Sequence, residues 1–401
     1  MDIDRNHFPI LSTQVNGKPL VYFDNAASTQ KPIAVIDALN TYYSEYNSNI
    51  HRGAHFLANL ATEKYEDVRQ AAAKFLNAQT KEVIFTSGTT QSINLLAQSW
   101  GRKFLQKGDE IVLTEMEHHA NLVPWLALKE ELGFTIRFLP MNTDCELDLS
   151  DIDSIINSKT KLVSFAYISN AIGTIHPISK IIEVAKRNNA LVHLDCAQAI
   201  QHKLIDVQQL NIDFLSFSSH KMYAPMGVGV FWGKEAHLNA MNPYQYGGEM
   251  IKDVYLDKVS YNEIPYKFEA GTPNVGDVIG LGVAIDYLQN LGIENIENVE
   301  KELQLYFYDK LSEIQGVDIY TPRENSTVVI SFNIEGVHAF DIGQMLDAKG
   351  IAIRTGHHCC QPLMRKLAID GTCRASLAFY NTREEIDYFI DSMKSIIPLF
   401  Q

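Results

Sequence analysis

Short apolar runs alternate with amphipathic segments through the first two thirds of the chain, and this alternation constrains the fold more than any other feature. EVIFT (82–86), EIVLT (110–114), TIRFLP (135–140), KLVSFAY (161–167), ALVHLD (190–195), DFLSFS (213–218) and GVGVFW (227–232) read as seven strands. Several are apolar almost throughout, as strands covered on both faces are. Helical patterns lie between them at Ala58–Leu76, Thr89–Trp100 and Ile178–Asn189. The alternation predicts an α/β fold on a mainly parallel, doubly wound sheet.

The pattern changes after about residue 275. Two helical segments, Val275–Asn290 and Ile293–Ile314, precede VDIYTP, TVVISFNI, a helix His338–Lys349, IAIRTG, CRASLAFY and a closing helix from Arg383 to Ile397. That set predicts a smaller α+β domain. The expected division is 21–289 for the large domain and 1–20 with 290–401 for the small one. No repeat, low-complexity tract or Pro/Gly linker intervenes, so a site between the two is expected.

Composition narrows the function. The 401 residues are 46% apolar and 20% charged, which excludes disordered and collagen-like designs. Lys+Arg 34 against Asp+Glu 48 leaves −14, a surface that repels nucleic-acid phosphates. No apolar run is long enough for a membrane span, and MDIDRNHFPILSTQ lacks the regions of a secretory signal. Five cysteines without a CxxC pair fit a reducing cytoplasm. The expectation is an intracellular enzyme.

Six segments carry chemistry. Asp195 ends the strand ALVHLD, where open α/β sheets bind ligands, although alone it is equally a helix cap. Lys221 follows DFLSFSSH; alone it reads as a solvated lysine, but beside apolar groups it is a Schiff-base candidate. Together, a lysine for covalent attachment and an aspartate for a pyridinium nitrogen are the main requirements of pyridoxal phosphate. Strand, Ser87-Gly88-Thr89-Thr90, then helix supplies a phosphate cup or an ordinary capped helix start. His118 and His119 follow EIVLT, placing an imidazole to stack on a ring or move a proton, or simply a buried histidine. In IAIRTGHHCCQPLM, Cys359 and Cys360 sit beside Arg354, His357 and His358, and a nucleophilic thiol fits better than a metal site. Arg374 could fork onto a substrate carboxylate or form a structural ion pair. HRGAH has the histidine spacing of a zinc-protease helix but lacks its Glu and carries a Gly, GLGVAI is not a full GxGxxG, and GVGVFWGKE misses the P-loop spacing and its terminal Ser/Thr.

YFDNAASTQKP, NSNIHRGAH, SGTTQSINLLAQSW, EHHANLVPW, SNAIGTIHPI, HLDCAQA, SSHKMYAPMGVGV, FEAGTPN, RTGHHC and CRASLAFYNT occur in the order seen in group II cysteine desulfurases. The chain resembles that group from about residue 20 to its end, in the branch of SUF-system desulfurases and selenocysteine lyases of the class V aminotransferase family. The resemblance implies a fold-type-I transferase dependent on pyridoxal phosphate, acting on L-cysteine as a cytoplasmic homodimer. It implies Lys221 as the attachment point, Asp195 on the pyridinium nitrogen and Gln198 on the ring oxygen. Thr90, Ser218 and His220 would hold the phosphate, with Thr272 from the other subunit. His118 would stack and transfer protons; Asn170 and Arg374 would bind the substrate carboxylate, with Arg354 nearby. Cys359 would be the nucleophile that takes the sulfur for a SUF-system acceptor in iron-sulfur cluster assembly. The alternative is a selenocysteine lyase. Three positions depart from the family pattern: Ser219 where Gly is frequent, Gln91 where an acidic residue is frequent, and Cys360 where Ala is frequent.

Overall fold

The computed structural model describes residues 4–400. Seven strands form the main sheet: β1 (Val83–Thr86), β2 (Glu110–Thr114), β3 (Thr135–Leu139), β4 (Thr160–Ala166), β5 (Leu191–Asp195), β6 (Phe214–Ser218) and β7 (Gly229–Gly233). Their order is β1-β7-β6-β5-β4-β2-β3. β7 runs antiparallel to both neighbours, and the remaining pairs are parallel. The expected mainly parallel seven-stranded sheet is therefore present. Strands β1, β6 and β7 are buried at every residue, whereas edge strand β3 buries only Ile136 and Leu139. Covering helices explain the continuous apolar runs, and a half-covered edge explains the mixed TIRFL.

The parallel strands all end on one side of the sheet, and the sequence places its reactive segments there. Thr86 leads into Gly88 and helix α2 (Thr89–Leu95), which continues through a π-helical turn at Leu96–Gly101. Thr114 leads to His118, Ala166 to Asn170, Asp195 to Gln198, and Ser218 to Lys221. β7 begins at the same edge. A Cβ on Gly229 would lie 2.5 Å from Gly88 Cα, so glycine there lets the two backbones meet. Helix α1 (Phe56–Leu76) packs on the long apolar helix running from Val275 to Leu291. In that helix, a Cβ on Gly280 would meet Pro225 at 2.5 Å. The turn following Lys221 is thus seated directly on the helix.

A second sheet joins four antiparallel strands: β8 (Val317–Ile319), β9 (Val329–Ile334), β11 (Thr372–Ser376) and β10 (Arg354–Gly356), in that order. Ile330, Phe332, Phe307, Leu346, Phe389 and Met393 build its separate core, which Val21 and Phe23 also enter. IAIRTG is not one strand. Ile351–Ala352 pairs in parallel with Val21–Tyr22, and only Arg354–Gly356 joins the second sheet. Among the described residues, no helix is long and apolar enough to cross a membrane.

Candidate active site

A cavity of about 280 Å³ opens where the strand ends face the second sheet. Eleven residues singled out from the sequence line it: Thr90, His118, Asn170, Asp195, Gln198, Ser218, His220, Lys221, Arg354, Cys359 and Arg374. Thr272 does not; it is exposed ahead of the helix that begins at Val275.

The floor is built by β4, β5 and β6. Asp195 is buried at the end of β5, with Oδ1 accepting the Ala197 N–H at 2.9 Å. Burial pushes its carboxyl up, and the nearby Lys221 ammonium opposes that shift. Lys221 is pushed down to about 8 by burial, with Asp195 pulling the other way. An amine at that level has a large neutral, nucleophilic fraction near physiological pH. The His220 carbonyl fixes the lysine's backbone. It accepts from Thr29 N (3.1 Å), Ser28 Oγ (3.2 Å), Thr29 Oγ1 (3.2 Å) and Lys31 Nζ (2.9 Å).

One end of the cavity is made for an anion. Ser218 Oγ accepts the Thr89 N–H at 2.8 Å and lies 2.8 Å from Thr89 Oγ1, drawing the start of α2 against β6. The exposed Thr90 and the ring of His220, whose buried Nδ1 has no partner, complete this end. Gln198 donates one N–H to Ala26 O at 2.7 Å, and its buried Oε1 is unpartnered. His118 Nδ1 accepts the Ala120 N–H at 3.0 Å, so its proton is on Nε2. Burial, then Lys221, pushes that imidazole down to about 3, keeping it neutral.

The opposite wall carries two arginines and the cysteine loop. Arg354 on β10 and Arg374 on β11 stand directly across from one another, and like charges so placed repel. Asp24 bridges them, 2.9 Å from Arg354 Nη2 and 3.5 Å from Arg374 Nη2. One carboxylate between two guanidiniums leaves a positive charge, and the Nε of the buried Arg374 has no hydrogen-bond partner. Arg374 Nη1 also donates to Asn170 O at 2.6 Å, while Asn170 Nδ2 donates to His358 O at 2.6 Å.

The loop itself is held in an uncommon shape. His358 and Cys359 have φ of 50° and 54°, successive left-handed residues that cost roughly 1–3 kcal/mol each unless the surroundings impose them. The Cys359 carbonyl accepts from His119 N at 2.8 Å, and Gln361 N donates to His119 Nε2 at 3.2 Å. Cys359 is exposed to the cavity, and Cys360 is fully buried with its Sγ donating to Glu117 O at 3.3 Å. Burial pushes the Cys360 thiol up to about 12, so neighbouring cysteines have opposite environments.

The departures from the family pattern lie outside the contact surface. The Ser219 hydroxyl donates to the carbonyls of Pro225 and Val228 and staples the turn after Lys221. Gln91 accepts from Ser87 N and donates to Tyr244 Oη, bracing the loop before α2. Sequence reading overlooked Asp24, Lys31 and Glu117. Only Asp24 left a signal there, as an acid just after a short apolar run in YFDNAAS.

These residues fit pyridoxal phosphate: an anion cradle, a buried acid at the strand end, a lysine of depressed basicity, and unpartnered Gln198 and His220 atoms between them. The profile of one family, aminotransferase class-V, matches residues 21–389. The chain is 50% identical over 381 residues to a probable cysteine desulfurase of Halalkalibacterium halodurans, covering 95% of this chain and 94% of that one. Its fold matches the apo cysteine desulfurase of Thermococcus onnurineus with TM-score 0.93 and 38% identity, over 98% and 97% of the two chains. It matches the cysteine desulfurase CsdA of Escherichia coli with TM-score 0.91 and 37% identity, over 98% of each chain. A mainly parallel seven-stranded sheet with a second, antiparallel sheet is the fold-type-I arrangement of these enzymes. By profile, identity and fold together, the chain belongs to the class-V aminotransferase family, among proteins named cysteine desulfurases.

Proposed function

We propose that the cavity binds pyridoxal phosphate and converts L-cysteine to L-alanine, with the sulfur captured on Cys359 as a persulfide. The observation that carries this reading is the pairing of an exposed cysteine on a fixed loop with a buried lysine–aspartate pair in one cavity. Lys221 would hold the cofactor, Asp195 its ring nitrogen, Gln198 its ring oxygen, and Thr90, Ser218 and His220 its phosphate. When bound, the cofactor supplies an electron sink for a carbanion at the substrate Cα. The protein's residues do the rest. Arg374, with Asn170 and Arg354 beside it, orients the substrate carboxylate. Lys221 Nζ takes the Cα proton. His118 would lie over the cofactor ring and offer its Nε2–H as a hydrogen-bond donor. The Cys359 thiolate attacks the substrate sulfur, forming an S–S bond as the C–S bond breaks and its electrons remain with the carbon fragment that becomes alanine. This divides one difficult cleavage into easier steps.

The same reading includes a cytoplasmic homodimer in which Thr272 of a second copy reaches the phosphate. It also includes division into domains 21–289 and 1–20 with 290–401, and a SUF-type acceptor protein that takes the persulfide sulfur. Alanine release from L-cysteine under reductant tests the activity. Turnover by the loaded enzyme supports the reading, and none with the cofactor bound contradicts it.

Two further outcomes are expected. Arg374→Ala lowers kcat/KM for L-cysteine by about 10- to 100-fold, the worth of a charge-assisted hydrogen bond at about 1.5–3 kcal/mol. Steady-state kinetics check it, and the loss should fall mainly on KM. In the apo protein, capture of pyridoxal phosphate accelerates as pH rises through about 8 and then levels, because the neutral amine is the nucleophile. An ordinary lysine would keep accelerating toward about 10.4. Stopped-flow absorbance distinguishes the two profiles.

A further inference from the structure

Glu117 takes no part in the steps above, yet three walls of the cavity meet on it. Its side chain is 2% exposed, with no cation among its hydrogen-bond partners. Thr114 Oγ1 reaches Oε1 at 2.6 Å, Asn121 Nδ2 reaches Oε2 at 2.7 Å, and Ala166 N lies 3.1 Å from both oxygens. Burial pushes this carboxyl up to about 7, and the donors pull against it. Its backbone does separate work: the Glu117 carbonyl holds the Cys360 thiol, and the next residue is His118.

The partners of Asn121 fix the direction of every proton behind it. Asn121 Nδ2 faces Glu117, so its Oδ1 must accept, and it receives both Trp125 Nε1–H (3.2 Å) and the Ser164 hydroxyl (2.6 Å). Ser164, having spent its proton, accepts from His193 Nδ1 at 2.8 Å. The bare His193 Nε2 then receives the Ser216 hydroxyl at 2.9 Å. Burial pushes His193 down to about 3, so it is the neutral tautomer this order requires. Ser216→His193→Ser164→Asn121→Glu117 is one row of donors that ends on a carboxylate, and such rows strengthen their members.

The row lies directly below the cavity floor. Ser164, His193 and Ser216 are each two residues before Ala166, Asp195 and Ser218 on the same strands, and hence on the same sheet face. The strand register places Ser164 beside His193 and Ala166 beside Asp195. Ala166, Asp195 and Ser218 line the cavity. We propose that Glu117 is a positioning residue of the desulfurase reaction, locking the wall that bears His118 and the cysteine loop to the floor that bears Asp195. This rests on the reading that His118 and Cys359 work in this cavity.

The test compares wild type, Glu117→Gln and the double variant E117Q/N121D as holoenzymes. A glutamine brings an N–H among donors; satisfying it by turning Asn121 leaves Trp125 Nε1–H facing another donor. The double variant gives that N–H an aspartate to bond, keeps Trp125 Nε1–H and the Ser164 hydroxyl on a carboxylate oxygen, leaves Ala166 N to the amide oxygen alone, and moves the negative charge one residue back from the cavity. The single variant should lose about 10- to 100-fold in kcat with KM within about twofold, as expected for misplaced reacting groups. In its apo form, Cys359 should react with iodoacetamide about threefold faster or more, because the loop is less firmly held. The double variant should return both values to near wild type.

If wild type makes no alanine, the functional reading fails. If wild type is active and Glu117→Gln matches it in kcat and alkylation, the positioning role is overturned. A Glu117→Gln that does not fold leaves the double variant to decide. Folding and turnover restored there support the role. A double variant that stays unfolded, or folds but remains slow, overturns it.

Discussion

Cys359→Ser is expected to lower alanine release from L-cysteine by at least about 100-fold, because a hydroxyl does not replace the thiolate as nucleophile toward sulfur. Cofactor absorption should be unchanged, since Cys359 lies on the wall opposite the phosphate cradle. The adjacent thiol gives this prediction its edge. Cys360 is one residue away, but it is fully buried, bonded to Glu117 O and pushed up to about 12. It should not rescue the variant, and Cys360→Ala should keep most of the activity. Activity retained in Cys359→Ser and lost in Cys360→Ala would reverse the assignment.

Lys221→Ala is expected to abolish turnover, a loss of about 1,000-fold or more, because one side chain both attaches the cofactor and moves the Cα proton. Its place is set by several neighbours: the fourfold-held His220 carbonyl, the Ser219 staple and the Pro225 turn seated on Gly280. Adding a small primary amine should return part of the proton-transfer rate without restoring covalent attachment. Measurable wild-type rates in Lys221→Ala without added amine would show that another base serves.

Strand-end chemistry was legible in the sequence because each reactive side chain ends its strand or follows it by a few residues. Asp195, Lys221 and His118 could therefore be found without knowing which strands are neighbours. The partners that tune them were not legible. Asp24 matters because the second sheet sets Arg354 opposite Arg374, a register that neither local pattern encodes. Glu117 reads as one more acid before two histidines until β4 brings Ala166 N onto it. IAIRTG reads as one strand because apolar periodicity reports burial and is silent about a change of partner between Ala352 and Arg354. The opposite environments of Cys359 and Cys360 likewise depend on left-handed backbone at two non-glycine positions.

The most direct test of the central claim follows sulfur from L-cysteine labelled with radioactive sulfur, in one turnover without reductant, with peptide mass analysis of the product. The account predicts one alanine per protomer and one added, labelled sulfur on the peptide, located at Cys359 and released by a thiol reductant. Alanine formed with the label free as sulfide, or carried by Cys360, would contradict it.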